Sequence, residues 1–214
     1  MSHEELLDTH TKTRADFKEF DFPLTFQFKL GTISNDFAAK DSSGRTIAYV
    51  RQKMFKLKDA IMVFSDETKT HQLYTIKADR IIDFNASYEF TDANDTVLGS
   101  IGRKGMRSLW KAHYEIFDAN KLQEYHVREQ NPWAKVADVL FSEIPILGMF
   151  TGYMFNPKYE IVAADGTVVA RLSKEKSFFG RTFKLEKLAE FKSGDSERLL
   201  LALMMMMLLE RRRG

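Results

Sequence analysis

The sequence LLLALMMMMLL at residues 199–209 is apolar on every face of the helix that it predicts. All eleven residues are good helix formers, Asp195 or Ser196 can cap the start, and Arg211 follows near the negative end of the helix dipole. A helix without a polar stripe has to be surrounded on all sides. At about 1.5 Å per residue the run is about 16 Å long, close to the height of a barrel built from strands of about five residues. The segment therefore predicts a helix threaded through a closed β-sheet.

A membrane anchor or a partner-binding helix is the alternative for this segment. The run is shorter than the roughly 20 residues that cross a bilayer, and so is the other long uncharged stretch, 144–157. Glu210 and three arginines close the C-terminal run, and the acidic N-terminus lacks the pattern of a signal peptide. We therefore expect a cytoplasmic protein without a transmembrane segment, with peripheral membrane contact as one option.

Four copies of one hairpin pattern precede the helix. Each copy has an apolar strand, a turn rich in Asp, Asn, Ser or Gly, and a second apolar strand that closes on or near a basic residue. The copies span residues 37–51, 88–103, 114–128 and 159–172. The turn residues tolerate the backbone of tight hairpins, and closure of such a meander removes exposed edges. The pattern predicts a mainly β fold, a closed antiparallel β-barrel around the C-terminal helix.

Length and composition indicate one domain and exclude several kinds of site. We assign residues 1–20 to an N-terminal arm and residues 21–214 to a single barrel domain. The formal net charge is +2, from 32 basic and 30 acidic residues, which argues against a nucleic-acid partner. The chain has no cysteine, so disulfides, thiolate metal sites and cysteine nucleophiles are excluded.

Residues 131–156 interrupt the β pattern. Asn131 can cap a helix near 132–144 with Pro132 at its first position, and an apolar run follows Pro145. The segment is either a plug for one end of the barrel or a surface that contacts a membrane or a partner, and its polar face carries mixed charge. The candidate contact residues are Trp133, Leu140, Phe141, Phe150, Tyr153 and Phe155.

Basic residues recur near the hairpin ends. If the hairpins are equivalent, some of these side chains converge on one rim and bind lipid or other phosphates; otherwise they are ordinary solvated strand ends. The candidates are Arg51, Lys53, Arg103, Lys104, Arg107, Arg128 and Arg171.

The sequence contains no recognisable catalytic motif. Neither a G-x-S-x-G elbow nor an H-E-x-x-H pair occurs. The five histidines lack metal-ligand spacing; His113 and His126 approach each other if their strands pair, with a surface or core role expected for both. We therefore predict no catalytic residues, no metal ligands and no cofactor.

The hairpins, the C-terminal helix and the segment YVRQKMFKLKD at residues 49–59 resemble the LURP-one-related proteins over roughly residues 21–213. That family shares its fold with tubby C-terminal domains and phospholipid scramblases. The resemblance implies about twelve strands around a central hydrophobic helix, and phospholipid contact in some members. The calcium-binding segment of scramblases has no counterpart here, and the insertion at 131–156 departs from the plainest family pattern.

These observations lead to three functional hypotheses. The first is a non-enzymatic binding or scaffold domain that docks on anionic phospholipid membranes. The alternative is a protein-protein interaction domain that uses residues 133–155. The third is an enzyme whose active site is assembled from residues far apart in the sequence.

Overall fold

The computed structural model describes residues 20–28, 36–51, 60–82, 85–103, 113–130, 158–175, 181–192 and 194–211. Within these residues the chain forms twelve strands and one helix. The strands are β1 Leu24–Phe28, β2 Phe37–Lys40, β3 Thr46–Val50, β4 Ile61–Phe64, β5 Gln72–Ile82, β6 Asn85–Asp92, β7 Val97–Arg103, β8 His113–Phe117, β9 Gln123–Glu129, β10 Lys158–Ala163, β11 Val168–Lys174 and β12 Arg181–Lys187; the helix is α1 Asp195–Arg211.

The twelve strands form one closed antiparallel barrel. Each strand pairs with the strands before and after it in the chain, and β12 pairs with β1 to close the sheet. The closing register places Leu24 opposite Leu185 and Phe26 opposite Phe183. Leu24, Leu185 and Phe26 are buried, so the seam is part of the core. The predicted closed barrel of about twelve strands is confirmed.

Each of the hairpin turns contains an aspartate, which stands at the first position in all of them except the turn from β10 to β11. In the turn from β8 to β9, Asp118 accepts hydrogen bonds from the backbone N–H groups of Asn120 (2.9 Å) and Leu122 (2.7 Å). The bond from Leu122 holds the pKa of Asp118 below its usual value. The four predicted hairpins are confirmed as β2–β3, β6–β7, β8–β9 and β10–β11. Their turn aspartates are Asp41, Asp92, Asp118 and Asp165. A fifth such turn, at Asp66 between β4 and β5, is one that the sequence pattern did not indicate.

The alternating strand directions give the barrel two different ends. The five aspartate turns follow even-numbered strands and lie at one end, which we call the hairpin end. The odd-numbered strands finish at the opposite end, which we call the far end. Their last residues are Phe28, Val50, Ile82, Arg103, Glu129 and Lys174.

Helix α1 fills the barrel. Residues 199–208 are all buried, and they belong to the same core cluster as inward-facing side chains from every strand. The helix is therefore surrounded on all sides, as its lack of a polar stripe requires. The prediction of a central core helix is confirmed. Within the described residues, no helix combines the length and apolar character that a bilayer span requires.

Polar contacts hold α1 at both of its ends. At the hairpin end, Tyr125 donates its hydroxyl to Asp195, and Arg198 pairs with Asp195 (2.9 Å) and Glu124. Arg198 Nε also donates to the backbone oxygen of Leu98 at 2.8 Å. At the far end, the Tyr114 hydroxyl donates to Glu210 at 2.7 Å. These contacts set the depth of the helix, because its apolar surface alone would permit sliding.

Gly99 makes room for the Arg198 side chain. Its φ is +147°, a backbone conformation that other residues rarely adopt. A Cβ on Gly99 would lie 2.8 Å from Arg198 Cδ and would also collide with the backbone of Phe117. A glycine at this position therefore allows the arginine side chain to pack against β7 at the start of α1.

Two predicted segments lie outside the described residues. The N-terminal arm was assigned to residues 1–20, and only Phe20, which is buried, falls within the described part. The inserted helix near 132–144 lies wholly outside it. Both assignments stay predictions, as does the division into an arm and one barrel domain.

We expect Leu201→Ala to lower the free energy of unfolding by about 2–5 kcal/mol, because it opens a cavity where the core cannot collapse fully. Leu201 is completely buried in α1. The matched control is Leu122→Ala, since Leu122 is 65% exposed in a hairpin turn, and its effect should stay within about 0.5 kcal/mol. Urea unfolding of both variants measures the difference. Equal, small effects would contradict the placement of α1 in the core.

Candidate functional site

The predicted phosphate-binding residues occupy different walls of the barrel. Arg51 follows β3, Arg103 ends β7 and Arg128 lies near the end of β9, so all three are at or near the far end. Strands β3 and β9 are six positions apart in a barrel of twelve, however, which places Arg51 and Arg128 on opposite walls. Lys53, Lys104 and Arg107 lie outside the described residues. Of the predicted set, the structure brings together Arg128 and Arg171.

Arg128 and Arg171 meet at one carboxylate, that of Glu160. The register aligns these three residues in a row across β9, β10 and β11. Arg128 donates from Nε (3.0 Å) and Nη2 (2.9 Å) to Glu160 Oε2, and Arg171 Nη2 lies 3.8 Å from Glu160 Oε1. The Glu160 side chain is only 10% exposed, whereas those of Arg128 and Arg171 are 52% and 38% exposed. The carboxylate therefore lies beneath two arginines that face solvent.

The electrostatics of Glu160 follow from this arrangement. Burial raises the pKa of its carboxyl, but the hydrogen bonds from Arg128 and from the Gln130 amide outweigh burial and hold the pKa below its usual value. Glu160 is thus ionised at neutral pH and fixes the Arg128 guanidinium in one orientation.

Two lysines extend this surface toward β12. Lys158 and Lys184 are both opposite Ser173 in the register, and Lys184 pairs with Glu186 at 3.1 Å. We call the outer surface formed by Arg128, Lys158, Glu160, Arg171, Lys184 and Glu186 the basic wall. Its four cations and two carboxylates give it a net charge of +2, equal to that of the whole chain.

Arg51 belongs to a separate cluster. The hydroxyl of Tyr49 donates to Asp36 Oδ2 at 2.6 Å, and Arg51 Nε lies 3.9 Å from the other oxygen of Asp36. Burial of Tyr49, together with its bond to Asp36, raises the pKa of its hydroxyl. The half-exposed guanidinium of Arg51 therefore lies near a buried tyrosine–aspartate pair on the wall of β2 and β3, away from the basic wall.

The pairing of β8 with β9 brings His113 and His126 together. Their ring centroids are 5.7 Å apart, with an angle of 24° between the ring planes. The prediction that they approach each other is confirmed. The described residues contain no group of three or more histidine, aspartate or glutamate side chains placed to hold a metal ion.

Comparison with known proteins identifies the family. A family model described as LURP-one-related matches residues 46–207, which is most of the chain. The chain belongs to the LURP-one-related family. A crystal structure of an Arabidopsis thaliana protein is similar over 91% of this chain and 94% of its own, with 12% identity and a TM-score of 0.48. None of the curated proteins compared with the chain matches it.

Sequence reasoning missed four residues of the basic wall in this LURP-one-related protein. They are Lys158, Glu160, Lys184 and Glu186. The alternation of Lys158, Tyr159 and Glu160 indicated that the two charged residues share a face, and the turn at Asp165 allowed Glu160 to be aligned with Arg171. The signal was therefore present for β10, whereas the sequence pattern did not indicate a strand at Arg181–Lys187. The predicted contact residues Trp133, Leu140, Phe141, Phe150, Tyr153 and Phe155 lie outside the described residues.

We expect Arg128→Gln to raise the pKa of Glu160, because it removes the two guanidinium hydrogen bonds that lower it. A carboxyl whose folded pKa is depressed stabilises the fold above its unfolded pKa of about 4.3 and loses that contribution as pH falls through the folded pKa. The stability difference between the parent protein and the variant should therefore be largest above about pH 5, at roughly 1 kcal/mol or less for a half-exposed pair, and should shrink on acidification.

Carboxyl ¹³C NMR against pH measures the shift directly. Arg45→Gln is the matched control, because Arg45 pairs with Asp41 at the hairpin end and is 54% exposed. An unchanged Glu160 titration in Arg128→Gln would contradict the geometry of the basic wall.

Proposed function

We propose that this protein is a non-enzymatic binding domain that docks on anionic phospholipid membranes through the basic wall. The observation that carries the proposal is the pair of solvent-facing arginines, Arg128 and Arg171, held over the buried carboxylate of Glu160. Family membership is compatible with this role and does not specify it.

Pre-organisation makes these arginines suited to phosphate. Both bonds from Arg128 go to one oxygen of Glu160, so the guanidinium is oriented before a ligand arrives while half of the side chain stays exposed. A fixed side chain loses less entropy on binding than a free one. The planar guanidinium also matches the geometry of phosphate oxygens.

The charge of the basic wall predicts weak, reversible docking. A basic residue near an anionic leaflet contributes about 1 kcal/mol, so four cations less two carboxylates give about 2 kcal/mol. This free energy corresponds to peripheral and strongly salt-sensitive association. Stable attachment therefore needs a further contact.

The position of the wall allows other basic residues to assist. Lys158 begins β10 and Arg128 lies near the end of β9, so the wall reaches the far end of the barrel. Lys53 follows β3 in the sequence, and Lys104 and Arg107 follow β7; both strands finish at that end. We propose that docking presents the far end toward the cytoplasmic leaflet, which is the anionic one.

Liposome flotation of the full-length protein tests the proposal. We expect recovery with vesicles containing phosphatidylserine, none with neutral phosphatidylcholine vesicles, and loss of recovery between about 0.05 and 0.3 M salt. The double variant Arg128→Gln/Arg171→Gln should reduce the apparent affinity by up to about 30-fold, since it removes about 2 kcal/mol of attraction.

The matched control is Arg45→Gln/Lys192→Gln, which removes the same charge from the hairpin end. Both control residues are exposed and described. Equal losses in the two double variants would show that net charge acts without a specific surface, which contradicts the basic wall as the docking site. Absence of recovery under every condition would overturn membrane docking and favour a protein partner, for which the predicted contact is residues 133–155.

A further inference from the structure

A groove lies on the outer surface of β6, β7 and β8, next to the hairpin end of the barrel. The register aligns Glu89, Ser100 and Phe117 in one row across these three strands, and all three line the groove. The turn that follows β8 also lines it, and its volume is 190 Å³. Pockets for drug-sized ligands have volumes of about 300–1,000 Å³. The groove therefore suits a smaller molecule.

Four polar side chains of the groove make no hydrogen bond or ion pair with the rest of the described chain. They are Ser87, Glu89, Ser100 and Lys121. Asp118 also lines the groove, but its carboxylate already accepts hydrogen bonds from the backbone of its own turn. The groove therefore offers one free carboxylate, one free ammonium group and two hydroxyls to a ligand.

We propose that this groove binds a free α-amino acid with an aliphatic side chain. The ammonium group of the ligand pairs with the carboxylate of Glu89, while Lys121 and the hydroxyl of Ser100 donate to the ligand carboxylate. Hydrogen bonds between charged groups are about twice as strong as neutral ones. The half-buried ring of Phe117 and the side chain of Val97, which is 37% exposed, supply an apolar surface for the ligand side chain.

The spacing of the two charged residues suits a zwitterion. Glu89 lies on β6 and Lys121 follows β8, so their backbones are separated by about two strand spacings, or roughly 9–10 Å. Both side chains line the same groove without forming an ion pair with each other. The ammonium nitrogen and the carboxyl carbon of an α-amino acid are about 2.5 Å apart. A ligand of this length can therefore lie between the two side chains and contact both.

The charges of the lining disfavour other small ligands. Glu89 and Asp118 are two carboxylates against the single ammonium group of Lys121, so phosphate and other simple anions are repelled. A simple amine leaves Lys121 without a partner, and an uncharged ligand leaves both free charges without one. Among the described residues, no group of three or more carboxylate or histidine side chains is placed to hold a metal ion.

The groove is separate from the basic wall. It lies on β6 to β8 next to the hairpin end, whereas the basic wall lies on β9 to β12 and reaches the far end. A protein that docks on a membrane through the basic wall therefore leaves the groove open to solvent. Amino-acid binding does not depend on membrane docking, and failure of one leaves the other standing.

Titration of the full-length protein with L-leucine, followed by ¹H–¹⁵N NMR, tests the proposal. We expect the backbone amides of Gly99, Ser100 and Ala119 to shift to saturation, while those of Arg128 and Arg171 stay unchanged. Two analogues separate the charges of the ligand: leucinamide lacks the carboxylate, and isocaproate lacks the ammonium group. Each should bind at least about 10-fold more weakly than leucine, the lower limit expected for a lost hydrogen bond between charged groups.

Variants assign each ligand charge to its partner. Glu89→Gln should weaken leucine binding at least about 10-fold and reduce the preference for leucine over isocaproate. Lys121→Gln should have an effect of similar size and reduce the preference for leucine over leucinamide. The matched controls are Glu67→Gln and Lys69→Gln in the turn between β4 and β5, which should leave binding unchanged. Lys69 also matches Lys121 in backbone conformation, with φ of 60° against 65°.

Three results would overturn the assignment. The first is the absence of a saturable shift with leucine, and the second is equal affinity for leucine and leucinamide. The third is a set of shifts confined to residues outside the groove. The titration of the parent protein requires no substitution, so a variant that fails to fold leaves the proposal falsifiable.

Discussion

Burial of α1 on every face is the constraint on which the rest of the structure depends. Residues 199–208 have no polar side, so the helix requires a continuous apolar lining, and a closed sheet provides one. The inward-facing aromatic and aliphatic side chains of the twelve strands form this lining. Apolar contact alone does not define how deep the helix lies in the barrel. Its position along the barrel axis is instead fixed by the polar contacts of Arg198 at one end and Glu210 at the other.

A filled barrel leaves its outer surface for recognition. The inward-facing side chains of the strands pack against α1. Side chains that contact a ligand or partner can therefore lie only on the outer face of the barrel or at its two ends. The hairpin end consists of short aspartate turns that satisfy their own backbone groups, whereas charged rows on β8 to β12 carry the basic wall and the histidine pair. The basic wall depends on register across neighbouring strands, which the closed barrel makes unambiguous.

The fold was predictable because its signals are local and repeated. The apolar run at 199–209 and the turns at Asp41, Asp92 and Asp118 identify the helix and the hairpins directly. The hairpin at Asp66 was missed because its turn, residues 66–69, contains neither Asn nor Gly, whereas the turn at Asp118 contains Asn120. The site was predictable only in part. Its members come from four strands, and the contact of Arg128 with Glu160 joins residues 32 apart in sequence, a pairing that no local pattern indicates.

The claim that α1 is the core of the barrel is tested most directly by removing residues 195–214 and recording a ¹H–¹⁵N correlation spectrum. Without the helix, the inward faces of twelve strands lose their filling, and we expect an insoluble chain or one with poorly dispersed resonances and no cooperative unfolding. A monomeric, well-dispersed spectrum with cooperative unfolding would show that the barrel does not depend on its helix, and would contradict the account.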